Sequence, residues 1–433
     1  MTGVSGAAIH PRDFRLLAAG QALSWLGNGF QTVALAVAVV LNGGGPGALG
    51  LVLASSIVGR LAGALFGGVW ADRVQPQLVM VLSDLVRLLA VAGMAVMFAV
   101  SSGSVPLLCA LAAVTAVAGA FFSPAMTALK PMVVTVEARR QANATLSLLQ
   151  WTCQVLGPAA GGLTVAAVGA ATGFAVNAGS FLASILSVLF IKARVERTAR
   201  SGLFREMGEG WSAIREREWL LRGVLAATAY HVANGVVLVL AQVLAVRNLG
   251  GASAVGVIAA AEGMGGVVGA AVGLRLRPRR LLRAGWPSLL LMPLWAFAYV
   301  WPGTLAAVVV GAVIGYTGLI FYDVQWTTAI QDHVPHHVIA RVDSWDMLTS
   351  FLAMPVGNAL AGPLAHAFGT SWVLSGCSVV LLLSGASPLL SRETRQLTRR
   401  TGAEDDDARA ARPVPELPDR DDPAVTGEPA APG

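Results

Sequence analysis

Residues 48–73 read ALGLVLASSIVGRLAGALFGGVWADR, and 48–70 hold a single charged side chain, Arg60. An α-helix rises about 1.5 Å per residue, so roughly 20 apolar residues cross the hydrocarbon core of a bilayer. The stretch does not alternate as a barrel strand would, and it runs well past the length of one. It reads as a membrane-crossing helix, closed at one end by the charged pair Asp72 and Arg73.

Eleven further segments read the same way. The spans are 14–41, 48–70, 77–100, 105–129, 141–168, 171–191, 221–246, 252–274, 284–301, 303–324, 344–367 and 371–390, six before the polar stretch 192–220 and six after it. The expected fold is an all-α membrane protein with twelve transmembrane helices in two pseudo-symmetric six-helix halves. Composition agrees. Of 433 residues, 55% are hydrophobic and 12% charged, against about a quarter charged in a soluble domain. That excludes a soluble globular enzyme. The 49 glycines suit helices that pack closely in lipid. All three cysteines (Cys109, Cys153 and Cys377) lie in apolar segments, so no disulfide framework or cysteine metal spacing is expected. The N-terminal stretch shows no signal-peptide pattern, and the first span is expected to serve for targeting.

Charge sets the orientation. The net charge is +6, and 27 of the 30 lysines and arginines fall at the termini and in alternate connections. The opposite loops hold only Arg247, while Arg60 and Arg87 lie inside spans. This bias places both termini in the cytoplasm of a protein of the cytoplasmic membrane, and it gives no reason to expect nucleic acid. The expected organisation is a half over 1–191, a cytoplasmic linker over 192–220, a second half over 221–391 and a disordered cytoplasmic tail over 392–433. The linker carries the amphipathic stretch LFREMGEGWSAIREREWL. The tail is rich in Pro, Asp and Arg.

The halves repeat. At an offset of 206, Asn28-Gly29 matches Asn234-Gly235, and Gly50, Gly59, Gly63 and Gly67 match Gly256, Gly265, Gly269 and Gly273. At an offset of 200, Gly157, Gly162 and Gly169 match Gly357, Gly362 and Gly369. Parallel halves imply a pseudo-two-fold axis along the membrane normal and a site between them near the midplane.

Residues 67–73, GGVWADR, resemble the loop between helices 2 and 3 of the major facilitator superfamily, G-x-x-x-D-R-x-G-R-R/K. Gly68, Asp72 and Arg73 match; Gln75, Pro76 and Gln77 replace the later glycine and basic pair, which weakens this gating latch. The phrases FRLLAAGQALSWLGNGF (14–30), LSDLVRLLA (82–90), FFSPAMTALKP (121–131), LGPAAGG (156–162) and IARVDSWDML (339–348) resemble its drug-exporter branch, the macrolide-efflux-like and siderophore-exporter-like proteins. LGPAAGG is similar to the helix-5 antiporter motif, which implies a packing and gating role for Gly157, Pro158 and Gly162. The resemblance implies export. It also implies a cavity lined by helices 1 and 7, so the substrate contacts expected are Trp25, Asn28, Gln31, Tyr230 and Asn234. That branch often has Asp where Asn28 stands here.

Polar groups inside the spans are costly, and each is a functional candidate. Glu262 is the carboxylate expected near the midplane, and it can carry a proton across. Arg60 is its candidate counter-ion, and His231 is a second coupling candidate. Asp84, Arg87, Asp323, Arg341 and Asp346 are expected to pair near the cytoplasmic ends as gates, with Asp343 in the same cluster. His333, His336 and His337 lie in an interfacial loop without supporting carboxylate geometry, so no metal is expected. Without GxxxxGK[ST], GxSxG or HExxH, no enzyme activity and no cofactor are expected. The expected function is secondary active transport: proton-coupled efflux of a small amphipathic compound, such as an antibiotic or secondary metabolite, by a monomer in the lipid bilayer. An importer of a polar nutrient on the same fold is one rival. A non-transporting sensor or scaffold working through the tail is the other.

Overall fold

A computed structural model describes residues 11–71, 74–100, 103–134, 138–191, 212, 214–276, 278–334 and 336–398. Most of the linker 192–220 and the tail beyond Thr398 lie outside the described residues. So do Asp72 and Arg73, the side chains of Arg341, Asp343 and Asp346, and the surroundings of Gly68.

The first half contains α1 (Pro11–Leu41), α2 (Pro46–Ala71), α3 (Pro76–Ala99), α4 (Val105–Val133), α5 (Arg139–Val168) and α6 (Ala170–Leu189). The second contains α7 (Glu218–Asn248), α8 (Ala252–Arg275), α9 (Leu281–Leu289), α10 (Met292–Ala298), α11 (Leu305–His333), α12 (His336–Phe368) and α13 (Thr370–Ala386). Ten helical stretches are long and apolar enough to cross a membrane, with α9 and α10 together counting as one. The more polar α5 and α12 complete twelve spans, and both face the other half as well as lipid. Large apolar side chains cover the outside: Leu163 is 68% exposed and Trp372 79%. Such a surface is stable in hydrocarbon and aggregates in water. The protein is a multi-pass membrane protein.

Local chemistry places the breaks. Ser104 Oγ accepts from Leu107 N at the start of α4, and Thr304 Oγ1 accepts from Ala307 N at the start of α11. Gly169 and Gly369 turn between α5 and α6 and between α12 and α13 at φ +96 and +81, a region glycine enters without strain. The ninth span is two helices. Pro293 has no N–H to return to α9, so the ladder stops and Leu290 and Leu291 make tighter i−3 bonds instead.

In the first half α1 packs on α5 and α6, α2 on α4, and α3 on α4 and α6. In the second, α7 packs on α12 and α13, α8 on α11, α11 on α9 and α10, and α10 on α13. The 206 and 200 offsets reappear as contacts. A Cβ on Gly59 would stand 2.6 Å from the Ala113 carbonyl oxygen, and one on Gly265 2.6 Å from that of Val313. Gly63 meets Val117, and Gly269 meets Thr317, in the same way. The partners themselves are 200 residues apart, so α2 on α4 and α8 on α11 are one packing used twice.

Order continues past the last span. A short 3₁₀ turn (Ser387–Leu390) leads into α14 (Arg392–Gln396), so the expected disordered tail does not begin at 392. Glu393 accepts from Trp219 N at 3.2 Å, Thr398 bridges to Arg280, and the His333 ring lies 2.8 Å from the Thr398 carbonyl oxygen. These contacts pin seven residues, six of them polar, that composition alone assigned to disorder.

Candidate functional site

The halves meet along two seams. Along one, α5 lies on α8; along the other, α2 lies on α12. A Cβ on Gly256 would fall 2.5 Å from the Pro158 carbonyl oxygen, and one on Gly162 2.8 Å from Gly256 Cα. The second seam repeats this: Gly50 abuts the Asn358 carbonyl oxygen, and Gly362 abuts Gly47. Asn358 stands 200 residues from Pro158, as Gly362 does from Gly162. Both seams lie toward the face opposite the basic loops, where Arg247 also donates to the Gly44 carbonyl oxygen across the halves at 3.1 Å. The molecule is therefore closed on that face. The first seam runs inward as far as Trp151, whose ring sits 2.9 Å from where a Gly266 Cβ would be.

One helical turn from that line, Glu262 projects from α8 among aromatic side chains of the second half. The Tyr316 hydroxyl of α11 lies within hydrogen-bonding reach of its carboxyl, and Tyr299 lies within electrostatic range. Trp295 of α10 stands edge-on to Tyr316 at 5.6 Å and to Tyr299 at 6.0 Å. On α7, Tyr230 packs edge-on against His231 at 5.5 Å, and its buried hydroxyl has no hydrogen-bond partner among the described residues. Asp323 follows Tyr316 by seven residues, on the same face of α11 and two turns nearer the basic face, with an exposed side chain.

Arg60 is not the partner of Glu262. Helix α2 packs on α4 and α12, whereas α8 packs on α5 and α11, so the two side chains serve different neighbours. Arg60 instead lies in the field of Arg87 in the first half. Asp84 and Arg87 do pair, at 2.9 Å, but inside the first half. The Arg87 guanidinium lies over the Phe181 ring at 3.9 Å and near that of Phe122 at 5.7 Å. The contact therefore lies between α3, α4 and α6 of one half and does not bridge the two halves. Removing one partner of a buried pair leaves an uncompensated charge and costs roughly 3–5 kcal/mol. Asp84→Asn should therefore lower the melting temperature of purified protein sharply. Asp84→Asn with Arg87→Met should recover most of the loss.

Gln31 accepts a hydrogen bond from Asn177 of α6, whose Oδ1 accepts in turn from Ser180 at 3.0 Å. That network ties α1 to α6 and occupies a side chain expected to meet substrate. Trp25 packs partly buried beside the Leu17 and Met80 core, and Asn28 is half-buried. Asn234 is buried, and its Oδ1 has no hydrogen-bond partner among the described residues. Against the adjoining Gly235, Asn358 is fully buried, and neither amide atom has a hydrogen-bond partner among the described residues. Sequence reading passed over Asn358, Trp295 and Tyr299. The first stands one residue after Gly357, which the 200-residue repeat matches to Gly157, and the other two sit in the proline-broken ninth span.

Two six-helix bundles joined by two small-residue seams beside a membrane-embedded carboxyl form the architecture of an alternating-access transporter. The chain belongs to the major facilitator superfamily, whose family model, Major Facilitator Superfamily, matches residues 17–353. It is 29% identical over 395 residues to a protein of Mycolicibacterium fortuitum named multidrug efflux pump Tap, a match covering 86% of this chain and 93% of that one. It is 26% identical over 394 residues to the protein of the same name from Mycobacterium tuberculosis, covering 86% and 91%. Among solved structures, the peptide transporter POT superposes with a TM-score of 0.71 at 12% identity, covering 92% of this chain and 97% of that one. The nucleoside transporter NupG superposes with a TM-score of 0.68 at 10% identity, covering 87% and 99%. At those identities the two structures speak to the fold alone.

Proposed function

We propose that the protein exports a small amphipathic compound across the cytoplasmic membrane, driven by protons that bind at Glu262. The observation that carries this reading is a carboxyl set among Tyr316, Tyr299 and Trp295, beside the seam along which the halves separate. A group that is cheap to bury neutral and costly to bury charged ties its protonation to which side the cavity faces. Rings around it offer an apolar ligand large contact area with few polar demands. The two relatives named as multidrug efflux pumps support export over import. The basic face is cytoplasmic on this reading, so the structure is open inward, and Asp323 stands on the route between Glu262 and the cytosol. Asp72, Arg73, Arg341 and Asp346 remain candidate latch residues at that face, and Gly157, Pro158 and Gly162 serve the seam. The protein works as a monomer.

Transport decides between export and its rival. Cells lacking their own efflux pumps should accumulate less of a fluorescent amphipathic dye when they make this protein, and a protonophore should cancel the difference. Increased accumulation of a labelled polar nutrient would favour import. Orientation has a separate test. A cysteine replacing Asn42 should react with an impermeant maleimide added outside intact cells, and one replacing Arg279 should react only after the cells are opened. The reverse pattern would invert the topology.

A further inference from the structure

Four arginines from two separate segments line one pocket of about 350 Å³ on the basic face. Arg280 and Arg283 come from the start of α9, and Arg392 and Arg395 from α14, with Gln396 beside them. The backbone holds the two segments together: Leu281 N donates to the Leu397 carbonyl oxygen at 3.2 Å, and Arg280 bridges to Thr398. Among the described residues, no carboxylate lines the pocket. Among the described residues, none of the four guanidinium groups is in an ion pair. The nearest acid in sequence, Glu393, is engaged by Trp219 N. Like charges gathered this way repel, and an anion relieves that repulsion. Guanidinium forks match the paired oxygens of a phosphate in particular. Apolar surface lies beside the site: Leu390, two residues before Arg392, is 77% exposed. A charged pocket with a bare leucine beside it at the end of a membrane span has the polarity profile of a lipid's headgroup region.

We propose that this pocket binds the phosphate of an anionic phospholipid, with the acyl chains running past the exposed Leu390 and the headgroup clamping α14 to the start of α9. The positive-inside bias alone requires basic residues on this face, but not four of them converging on one cavity from segments more than a hundred residues apart. The clamp joins groups within the second half, so the lipid steadies that half as one body while the seams open and close.

The test uses the full chain in mixed vesicles of phosphatidylglycerol and phosphatidylcholine, with lipid retention read by native mass spectrometry after extraction. The wild type should retain one phosphatidylglycerol. Arg283→Gln with Arg395→Gln should weaken that retention about thirtyfold, since each surface arginine contributes about fivefold. Arg275→Gln with Arg279→Gln removes equal charge from the same face without touching the pocket, and should change little. Equal loss in both variants would reduce the effect to general surface charge and overturn the site. So would undiminished retention in the pocket variant. If millimolar inorganic phosphate displaces the lipid, the pocket takes a free anion and the lipid assignment fails. Dye efflux plays no part in these readouts, so failure here and failure of the efflux reading are distinguishable.

Discussion

Glu262→Gln is expected to reduce proton-driven efflux to the level of cells lacking the protein, with the amount of protein in the membrane unchanged. Glutamine keeps the shape and the hydrogen bond with Tyr316 but removes the titrating proton. An amide also costs less to bury than a carboxylate, so folding should not suffer. Exchange of substrate across vesicles at equal pH on both sides should survive, because the two halves still move. Coupling alone is lost. Tyr316→Phe removes one hydrogen bond, worth about 1 kcal/mol, and should slow transport about fivefold without abolishing coupling. The measurement is dye efflux from vesicles with and without an imposed pH gradient, alongside exchange without one. If Glu262→Gln couples as the wild type does, the proton travels elsewhere, and Asp323, two turns along the same face of α11, becomes the group to test. If it loses exchange as well, the carboxyl contacts substrate and its role is binding.

Depth along the membrane normal was readable from the chain, and direction around each helix was not. Hydropathy placed the ends of most spans within three or four residues, because a bilayer imposes one length on every helix. The two large differences are at the basic face, where α11 runs on to His333 and α12 begins at His336. Polar residues there end the apolar run before the helix ends. The repeat was legible because equivalent close approaches demand small residues at equivalent positions, as Gly59 and Gly265 show. Pairing was not. Arg60 and Glu262 both fall near mid-span, and which neighbours they serve depends on which helices touch. In the same way, Gln31 read as a ligand contact until Asn177 was placed against it. A spacing of three did place Asp84 beside Arg87, but nothing in that spacing showed that Phe122 and Phe181 enclose the pair within one half.

Gly50→Leu and Gly256→Leu should each stop transport, and to the same extent. Both positions abut a backbone carbonyl of the opposite half, on Asn358 and Pro158 respectively, and backbone cannot move aside as a side-chain end can. Overpacking of this kind costs roughly 1–3 kcal/mol even where a core can adjust. Here the cost falls on one conformer only, because the seam on this face is closed in one state and parted in the other. A penalty of about 3 kcal/mol shifts the ratio of the two states more than a hundredfold toward opening on the face opposite the basic loops. Gly179 and Gly376 have nothing within 4 Å of an added Cβ, so leucine there should leave transport intact and control for lipid-facing bulk. A cysteine placed at Gly47 reports the state directly: shielded against Gly362 in the closed seam, it should become reactive to an impermeant maleimide in the leucine variants. Unequal losses at Gly50 and Gly256 would mean that the two seams do not move as a symmetric pair. Retained transport in both variants would show that the halves need not close there at all, and the rocking of two rigid bundles about a shared centre would have to be abandoned.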